Sequence, residues 1–353
     1  QRALSIALPN PHLEKKGIAI RIYRTWKGGH YMKRKREYTD KFHPITRRES
    51  IKKLFCLSGS FALTGALAGF SRMPSTAWAG SQKKAFMVEG LGQTEGYAIK
   101  ELTQKVFESA GGMKRFVSKG DVVVIKPNIS WARPVQMAAT TNPEVLKAVV
   151  ELCQDAGAKK VRIADNTIHD ARRCFSLSGA RMVAEKTGAE LIFPRSSLMR
   201  EMKIHGHRLD VWPVFVPLIE ADRLINLPVA KHHSLSTLTL GMKNWIGGVG
   251  GRRSALHQDI HQSTADLAQF FKPTVTLIDA IRIMTRNGPS GGSLSDVAQM
   301  NTLILSDDPV AADARASQLF GKKPGNLGFI RLGKKWGLGT DDFLSMDLKK
   351  ISA

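Results

Sequence analysis

The sequence predicts an α/β fold: a largely parallel, mixed sheet with helices on both faces and a small β-hairpin insertion. From about residue 98 onward, short apolar runs alternate with amphipathic helical segments, an order typical of right-handed βαβ units. The runs are continuously apolar rather than alternating, as expected of strands that helices cover on both sides.

The first βαβ unit is defined by its caps. "DVVVIKPN" (121–128) is a short apolar run that ends in polar residues, which indicates a buried strand. In the helix that follows, Asn142 is the N-cap, Pro143 occupies the first helical position and Gly157 lies just past the end.

Later elements continue the series. "KKVRIADN" (159–166) is the next strand, and one helix is expected over 171–189. "MKIHGHRLDVWPVFVP" (202–217) is expected to form a polar-tipped hairpin that decorates the sheet. Further strands are expected at 190–193, 221–228, 273–280 and 301–309, and a last helix runs from its cap Asp308 to Phe320.

The N-terminal segment predicts export through a twin-arginine signal. The chain has 53 Lys and Arg against 30 Asp and Glu, a formal net charge of +23, and residues 1–79 hold about half of this excess. A charged stretch containing Arg47 and Arg48, an apolar run over 54–70 and a small-x-small site at 77–79 follow in the order of a secretory signal. A membrane anchor is the alternative, but about 17 weakly apolar residues is short for a spanning helix.

These features divide the chain into three parts. Residues 1–31 are expected to lie upstream of the true start, residues 32–79 to be the signal, and residues 80–353 to form a single α/β domain with its core at about 85–325. The expected location is periplasmic or otherwise exported, with no stable membrane span after cleavage. The expected partners are the twin-arginine export machinery and a small anionic ligand. Nucleic acid is not expected, because no stacking-aromatic or recognition pattern accompanies the charge.

Cysteine usage disfavours an iron–sulfur cluster. Cys56 would leave with the signal, and the remaining Cys153 and Cys174 cannot supply four ligands. Cys153 lies on an apolar helical face, which favours a buried thiol, although a disulfide with Cys174 is also open.

Polar residues directly follow the predicted parallel strands. Ligands of open α/β sheets bind beyond the carboxyl ends of the strands, so these residues are expected to share one rim that forms the site. They are Lys126, Asn128, Asp165, Asn166, Asn226, Lys231, His232, His233 and Asp279.

The loop "MKNWIGGVGGRR" (242–253) adds a glycine cluster flanked by cations. It matches neither the Walker pattern nor the dinucleotide fingerprint, which requires a third glycine where Arg253 stands. Glycines permit positive φ and close backbone approach, so the loop is expected to bind a carboxylate or phosphate; a flexible turn with solvated cations is the alternative. The expected ligand-binding residues are Lys126, Asn128, Lys231, Lys243, Asn244, Gly247, Gly248 and Gly250.

Two roles are open to the histidines. His232 or His257 is expected to move a proton, with Asp165 or Asp279 orienting it. Alternatively, His257 and His261, four residues apart on a helical face, hold a divalent metal together with Asp279 and His232. No HExxH-type pattern supports the metal, and the absence of a G-x-S-x-G elbow disfavours an α/β-hydrolase.

In their order, "VVIKPNIS", "LINLPVAKHH", "GMKNWIGGVGG", "LIDAI" and "LSDDPVAAD" resemble the family named domain of unknown function 362 over about residues 85–325. That family has no settled activity, and many relatives carry ferredoxin-like cysteine motifs that this sequence lacks. The resemblance implies an α/β fold and recurrent positions at Lys126, Asn128, Asp165, Lys231, His232, Lys243, Asn244, Gly247, His257, Asp279 and Asp313.

The leading hypothesis is an exported protein that binds a small anionic ligand or cofactor at this rim, with acid–base or isomerase-like chemistry. A metal-dependent enzyme with a His/Asp site is one alternative. A non-catalytic exported binding or cofactor-maturation protein is the other. Whether the protein is an enzyme, and which cofactor it uses, stay open on the sequence alone.

Overall fold

The computed structural model of the chain describes residues 85–93 and 98–353. The segment upstream of Met32 and the twin-arginine-type signal therefore lie outside the described residues, and both stay predictions. Within 85–93 and 98–353, no helix combines the length and the hydrophobicity that a membrane span requires.

A ten-stranded sheet forms the centre of the fold. Its strands are β1 (Phe86–Leu91), β2 (Val122–Pro127), β3 (Lys160–Ala164), β4 (Glu190–Ile192), β7 (Arg223–Leu227), β8 (Val229–His233), β9 (Thr237–Thr239), β10 (Val275–Met284), β11 (Val297–Ser306) and β12 (Asp347–Ser352). Their order is β12-β1-β11-β10-β7-β2-β3-β4, and β8 pairs with β10 and β9. The run β10-β7-β2-β3-β4 is parallel, whereas β11 is antiparallel to both of its neighbours, which confirms the largely parallel, mixed sheet.

Helices cover both faces of this sheet, as predicted. The helices are α1 (Ile99–Ser109), α2 (Pro143–Asp155), α3 (Ala171–Leu177), α4 (Ala180–Thr187), α5 (Ile260–Phe271), α6 (Pro309–Gln318) and α7 (Gly328–Lys335). Val123 and Ile125 belong to the core beneath α1 to α4, while Val124 between them belongs to the core beneath α5 to α7. Alternate residues of one strand thus serve two cores, which is why the strand sequence is continuously apolar.

The predicted caps are present, and one predicted helix is divided. Asn142 caps α2 by accepting a hydrogen bond from Glu144 N at 2.9 Å, and Asp308 caps α6 by accepting one from Ala311 N at 2.8 Å. The single helix predicted over 171–189 is wrong: α3 ends at Leu177 and α4 begins at Ala180. Gly179 between them has φ +78°, a left-handed conformation that terminates a helix and that glycine adopts without steric cost.

The predicted hairpin exists as a separate two-stranded sheet, β5 (Met199–Lys203) and β6 (Val211–Phe215). The Asp266 carboxylate of α5 accepts backbone hydrogen bonds from residues 207–209 at the hairpin tip. In the middle of β6, Pro213 O accepts a hydrogen bond from Gly250 N at 2.8 Å. The hairpin therefore braces the glycine loop.

Cys153 and Cys174 are both buried, and they are free cysteines that do not form the disulfide considered as an alternative.

Candidate functional site

A seven-residue 3₁₀ helix, Met242–Gly248, carries much of the site, and its start is fixed by a distant carboxylate. Asp313 of α6 accepts hydrogen bonds from Gly241 N at 2.7 Å and from Met242 N at 2.9 Å. These are backbone donors that a helix start leaves without partners, so Asp313 acts as a cap supplied by another element. Trp245, stacked on Phe271 at 4.7 Å, holds the middle of the same helix against α5.

The predicted rim residues at the ends of β2 and β7 converge on one amide, that of Asn244. Its Oδ1 accepts from Lys126 Nζ at 3.0 Å and from Asn128 Nδ2 at 3.2 Å, while its Nδ2 donates to Asn226 Oδ1 at 2.9 Å. An amide suits this position because it both accepts and donates. Asn244 thus ties the 3₁₀ helix to the ends of two neighbouring strands, β2 and β7.

Lys126 and Asp165 form a fully buried ion pair, with Nζ 2.7 Å from Oδ1. Lys126 Nζ also donates to Pro127 O and Asn244 Oδ1, so its three donors are used within the protein. Asp165 Oδ2 accepts from Ile129 N at 2.6 Å. The structure therefore places both predicted site residues at the rim, but as a mutually satisfied pair beneath the pocket.

Gly247 lies directly over this pair. A Cβ at position 247 would stand 2.1 Å from Asp165 Oδ1 and 2.7 Å from Lys126 Nζ, distances that real side chains do not reach. Gly248 and Gly250 face Phe271 and Met199 instead, and of the four loop glycines only Gly251 has a positive φ. Close packing, rather than left-handed backbone, thus accounts for the glycines at 247 and 248.

Two further lysines, Lys231 and Lys243, line a pocket of about 400 Å³ above the rim. Lys231 Nζ donates to Asn128 Oδ1 and Ala139 O, which leaves one of its three donors for the pocket. Lys243 is 6% exposed, and no described residue supplies its Nζ with a hydrogen bond or an ion pair. Burial lowers the pKa of Lys243 to about 7, and burial followed by the neighbouring Lys243 charge lowers the pKa of Lys231 to about 7.

Arg253 adds a third cation to the pocket wall. Its guanidinium donates to Asn166 O at 2.6 Å and to Thr167 O, which fixes it beside the loop that follows β3. No Asp or Glu is among the described residues that line the pocket. They are Asn128, Ser130, Trp131, Ile168, Lys231, His233, Ser234, Leu235, Thr239, Lys243, Asn244, Ile246, Gly247, Arg253, Ser254, His257 and Pro289.

Two stacked histidines, His233 and His257, line the same pocket, with ring centroids 5.9 Å apart. His257 Nδ1 lies 3.2 Å from the Arg253 carbonyl oxygen, which can only accept, so Nδ1 carries the proton and Nε2 keeps a lone pair. His233 Nδ1 accepts from Leu235 N and Ser236 N, so its proton is on Nε2. Burial lowers the pKa of both rings, that of His233 to about 3, so both are neutral near pH 7.

Sequence reasoning gave the proton-moving role to His232 or His257, and the structure separates these two. His232 is absent from the pocket wall, and its Nδ1 accepts from Gly288 N at 3.1 Å. His233 lines the pocket in its place. The signal that could have identified it is the period of two in a strand, because Lys231 and His233 of β8 share a face while His232 points to the other.

Asp279 and His261 lie elsewhere in the fold. Asp279 is buried beneath the start of α2, where its carboxylate accepts from Asn142 N at 2.7 Å and Ile281 N at 3.1 Å, and burial raises its pKa to about 6. His261 stacks on Phe329 of α7. The predicted metal ligands His257, His261 and Asp279 are therefore not brought together. Across 85–93 and 98–353, no group of three or more His, Cys, Asp or Glu is arranged to hold a metal ion.

The chain is similar to a known protein, to a solved structure and to a family profile. Thylakoid-associated protein sll1697 of Synechocystis sp. is 26% identical over 248 residues, which cover 66% of this chain and 73% of that protein. The structure of the lactate racemase apoprotein from Thermoanaerobacterium thermosaccharolyticum matches with a TM-score of 0.41 and 12% identity, covering 66% of this chain and 56% of that one. This chain therefore spans little more than half of that protein.

The family profile described as Domain of unknown function (DUF362) matches residues 123–318. That range runs from β2 to α6 and contains Lys126, Lys243, His257 and the other residues of the pocket described above. Because the match extends over more than half of the 353 residues, the chain belongs to the DUF362 family.

Proposed function

We propose that the pocket binds a small organic ligand through a carboxylate and that His257 transfers a proton to or from a carbon of that ligand. The observation that carries the proposal is Lys243: a buried amine without a partner among the described residues, on the wall of a pocket that also contains two histidines. Burying an ammonium group is costly unless an anion accompanies it. A ligand carboxylate would supply that anion.

The charge of the pocket supports an anion rather than a cation. Lys231, Lys243 and Arg253 line it, whereas the nearby Asp165 is already neutralised by Lys126. A bound carboxylate favours the charged form of each lysine, so it raises the pKa of both from about 7. Ligand binding near pH 7.5 should therefore take up protons from the buffer.

The two histidine tautomers support proton transfer. The free lone pair on His257 Nε2 makes it a base, and its lowered pKa keeps it unprotonated at neutral pH. The Nε2–H of His233 is a hydrogen-bond donor suited to an oxygen that gains negative charge. Base, donor and cationic anchor in one pocket suit abstraction of a proton beside a carboxylate, which is the first step of racemisation or another isomerisation.

Binding is tested first, by isothermal titration calorimetry of the protein with a panel of carboxylic acids, in two buffers of different ionisation enthalpy. The expected result is at least one acid whose binding takes up protons. Lys243→Met should weaken that binding at least tenfold, whereas Lys322→Met, at an exposed site outside the pocket, should not. Equal affinity in both variants would refute the role of Lys243.

Proton transfer is tested on any acid that binds, by following deuterium uptake at its carbon atoms in D₂O by NMR. His257→Asn keeps an amide donor for the Arg253 carbonyl but removes the base. The variant should lose at least a hundredfold in exchange rate while the affinity stays within a few fold. Binding without exchange in the unmodified protein would instead favour the non-catalytic binding role.

We further propose that the protein is exported by the twin-arginine route, which is supported by Arg47 and Arg48 before the apolar run over 54–70. Changing both arginines to lysine should leave the precursor in the cytoplasm, as measured by fractionation. Processed protein that begins near Gly80 in the periplasm of this double variant would contradict the proposal.

A further inference from the structure

The opening of the pocket is apolar, in contrast to its polar floor. Trp131, Ile168, Leu235 and Pro289 line it alongside Lys243 and His257. Ile168 and Leu235 are 48% and 60% exposed, and because they line the same pocket as Trp131 and Pro289, they belong to one apolar surface rather than being scattered singly. Apolar surface left open beside a buried cation indicates a ligand with two chemically different ends.

Three separate loops supply this apolar surface. Trp131 follows β2, Ile168 follows β3 and Leu235 follows β8, so residues far apart in sequence bring apolar side chains to one opening. Trp131 is held edge-on against the His169 ring, with centroids 4.8 Å apart and planes at 90°. His169 Nδ1 in turn accepts from Ala132 N, so the loop after β3 is tied to the loop that carries Trp131. The indole is thus a positioned platform rather than a loose surface side chain.

We infer that the ligand is an amphipathic carboxylic acid whose aryl or long alkyl tail lies against Trp131, Ile168 and Leu235 while its carboxylate reaches Lys243. This inference rests on the proposed function for the anionic end, and the apolar opening adds the tail. A pocket of about 400 Å³ is larger than a two- or three-carbon acid fills and suits a ligand with a ring or a chain of several methylenes. Each methylene removed from water contributes about fourfold in affinity.

The test compares acids that share a carboxylate and differ in the tail, by calorimetry or by competition. Phenylacetate and hexanoate should bind at least thirtyfold more tightly than acetate. Phenylacetamide, which keeps the ring and lacks the charge, should lose most of the affinity of phenylacetate. Equal affinity of acetate and phenylacetate would overturn the inference while leaving the carboxylate site in place.

Variants of the opening provide the second arm. Leu235→Ser and Trp131→Ala should each weaken phenylacetate about five- to tenfold and leave acetate within twofold. Leu294→Ser is the matched control, since Leu294 is 61% exposed and lies outside the pocket; it should change neither affinity. No effect of Leu235→Ser or Trp131→Ala on phenylacetate would place its tail elsewhere and overturn the inference.

The two proposals fail in different ways. If phenylacetamide binds as tightly as phenylacetate, and both respond to Leu235→Ser, the apolar opening is a ligand site but the carboxylate anchor of the proposed function is wrong. If no acid of the series binds at any length, the proposed function fails and the inference fails with it.

Discussion

Lys126 and Lys243 are both buried at this site, and they differ in whether a carboxylate accompanies them. Lys126 pairs with Asp165 at 2.7 Å, whereas Lys243 has no partner among the described residues. Removing one member of a buried ion pair leaves the other charge uncompensated, which costs about 3–5 kcal/mol. Removing an unpartnered buried amine relieves a desolvation cost instead.

Substitution by methionine should therefore change the free energy of unfolding in opposite directions at the two positions. Lys126→Met should destabilise the unliganded protein by about 3 kcal/mol or more, and Lys243→Met should stabilise it by about 1 kcal/mol or more at pH 7. Urea unfolding followed by circular dichroism measures both. Similar losses for both variants would mean that Lys243 has a structural partner like that of Lys126.

The Lys126–Asp165 ion pair also restricts which residue can stand at position 247. Gly247→Ala would place a methyl group 2.1 Å from Asp165 Oδ1, and that buried carboxylate is held in place by Lys126 Nζ at 2.7 Å and by Ile129 N at 2.6 Å. A loss of about 3 kcal/mol in unfolding free energy is expected. Gly250→Ala is the matched control in the same loop, because its nearest contact, at 3.1 Å, is the flexible Met199 side chain. Equal stability of the two variants would show that the ion pair tolerates displacement.

At the scale of elements, the 3₁₀ helix Met242–Gly248 is the part that joins the α5–α7 side of the sheet to the pocket. Asp313 of α6 accepts from Gly241 N and Met242 N, and a 3₁₀ helix has poor hydrogen-bond geometry of its own. The cap therefore decides how firmly Lys243 and Asn244 are held.

Asp313→Asn should loosen this helix with little change elsewhere. The amide keeps one acceptor but turns a donor toward a second backbone N–H, so one of the two hydrogen bonds is lost. Hydrogen exchange of the amides at 242–248 should accelerate about tenfold, and the affinity for a bound acid should fall by a similar factor. Unchanged exchange at 242–248, with α5 as the internal reference, would show that other contacts hold the helix.

Some element-level features followed from the sequence, and others required the sheet. Six of the ten strands of the main sheet and the caps at Asn142 and Asp308 follow from local patterns, because apolar runs and capping residues act over a few positions, whereas β1, β8, β9 and β12 are not predicted. The pairing of Lys126 with Asp165 depends on β2 and β3 being neighbours, which no local pattern encodes. That His233 rather than His232 faces the pocket depends on 229–233 being a strand. The sequence does not show this, because only a single proline separates these residues from β7.

At the scale of the whole molecule, the site is polar where the sheet supports it and apolar where the loops meet solvent. The sheet supplies rigid strand ends that bury Lys126, Asp165 and Asn244, and this buried layer holds the pocket floor in place. Glycine patterns in the sequence suggested an anion cradle made of backbone. In the structure Gly248 and Gly250 pack against Phe271 and Met199, so under the proposed function the side chains of Lys231, Lys243 and Arg253, rather than the loop backbone, would bind the anion.

The same buried lysines predict how the stability of the whole protein depends on pH. Lys231 and Lys243 titrate near pH 7 in the folded state, whereas an unfolded lysine keeps its proton to about pH 10.4. Between these values the unfolded state binds more protons, so the unfolding free energy rises with pH. Each lysine contributes a slope of up to about 1.4 kcal/mol per pH unit. The clearest window is pH 7–8.5. Near its lower end Asp313, whose pKa burial raises to about 7, offsets part of the rise, and above the window the two buried thiols, whose pKa values burial raises, oppose the trend.

Urea titrations from pH 7 to pH 8.5 measure this slope. Lys243→Met removes the share of Lys243 and reduces that of Lys231, because the Lys243 charge contributes to the lowered pKa of Lys231. The variant should show the smaller slope. A saturating carboxylate ligand should flatten the slope of the unmodified protein as well, since a bound anion raises the pKa of both lysines and restores their protons in the folded state. A Lys243→Met protein whose stability rises as steeply as that of the unmodified chain would mean that Lys243 keeps an ordinary pKa when folded, and the unpartnered amine would then no longer support the anion site.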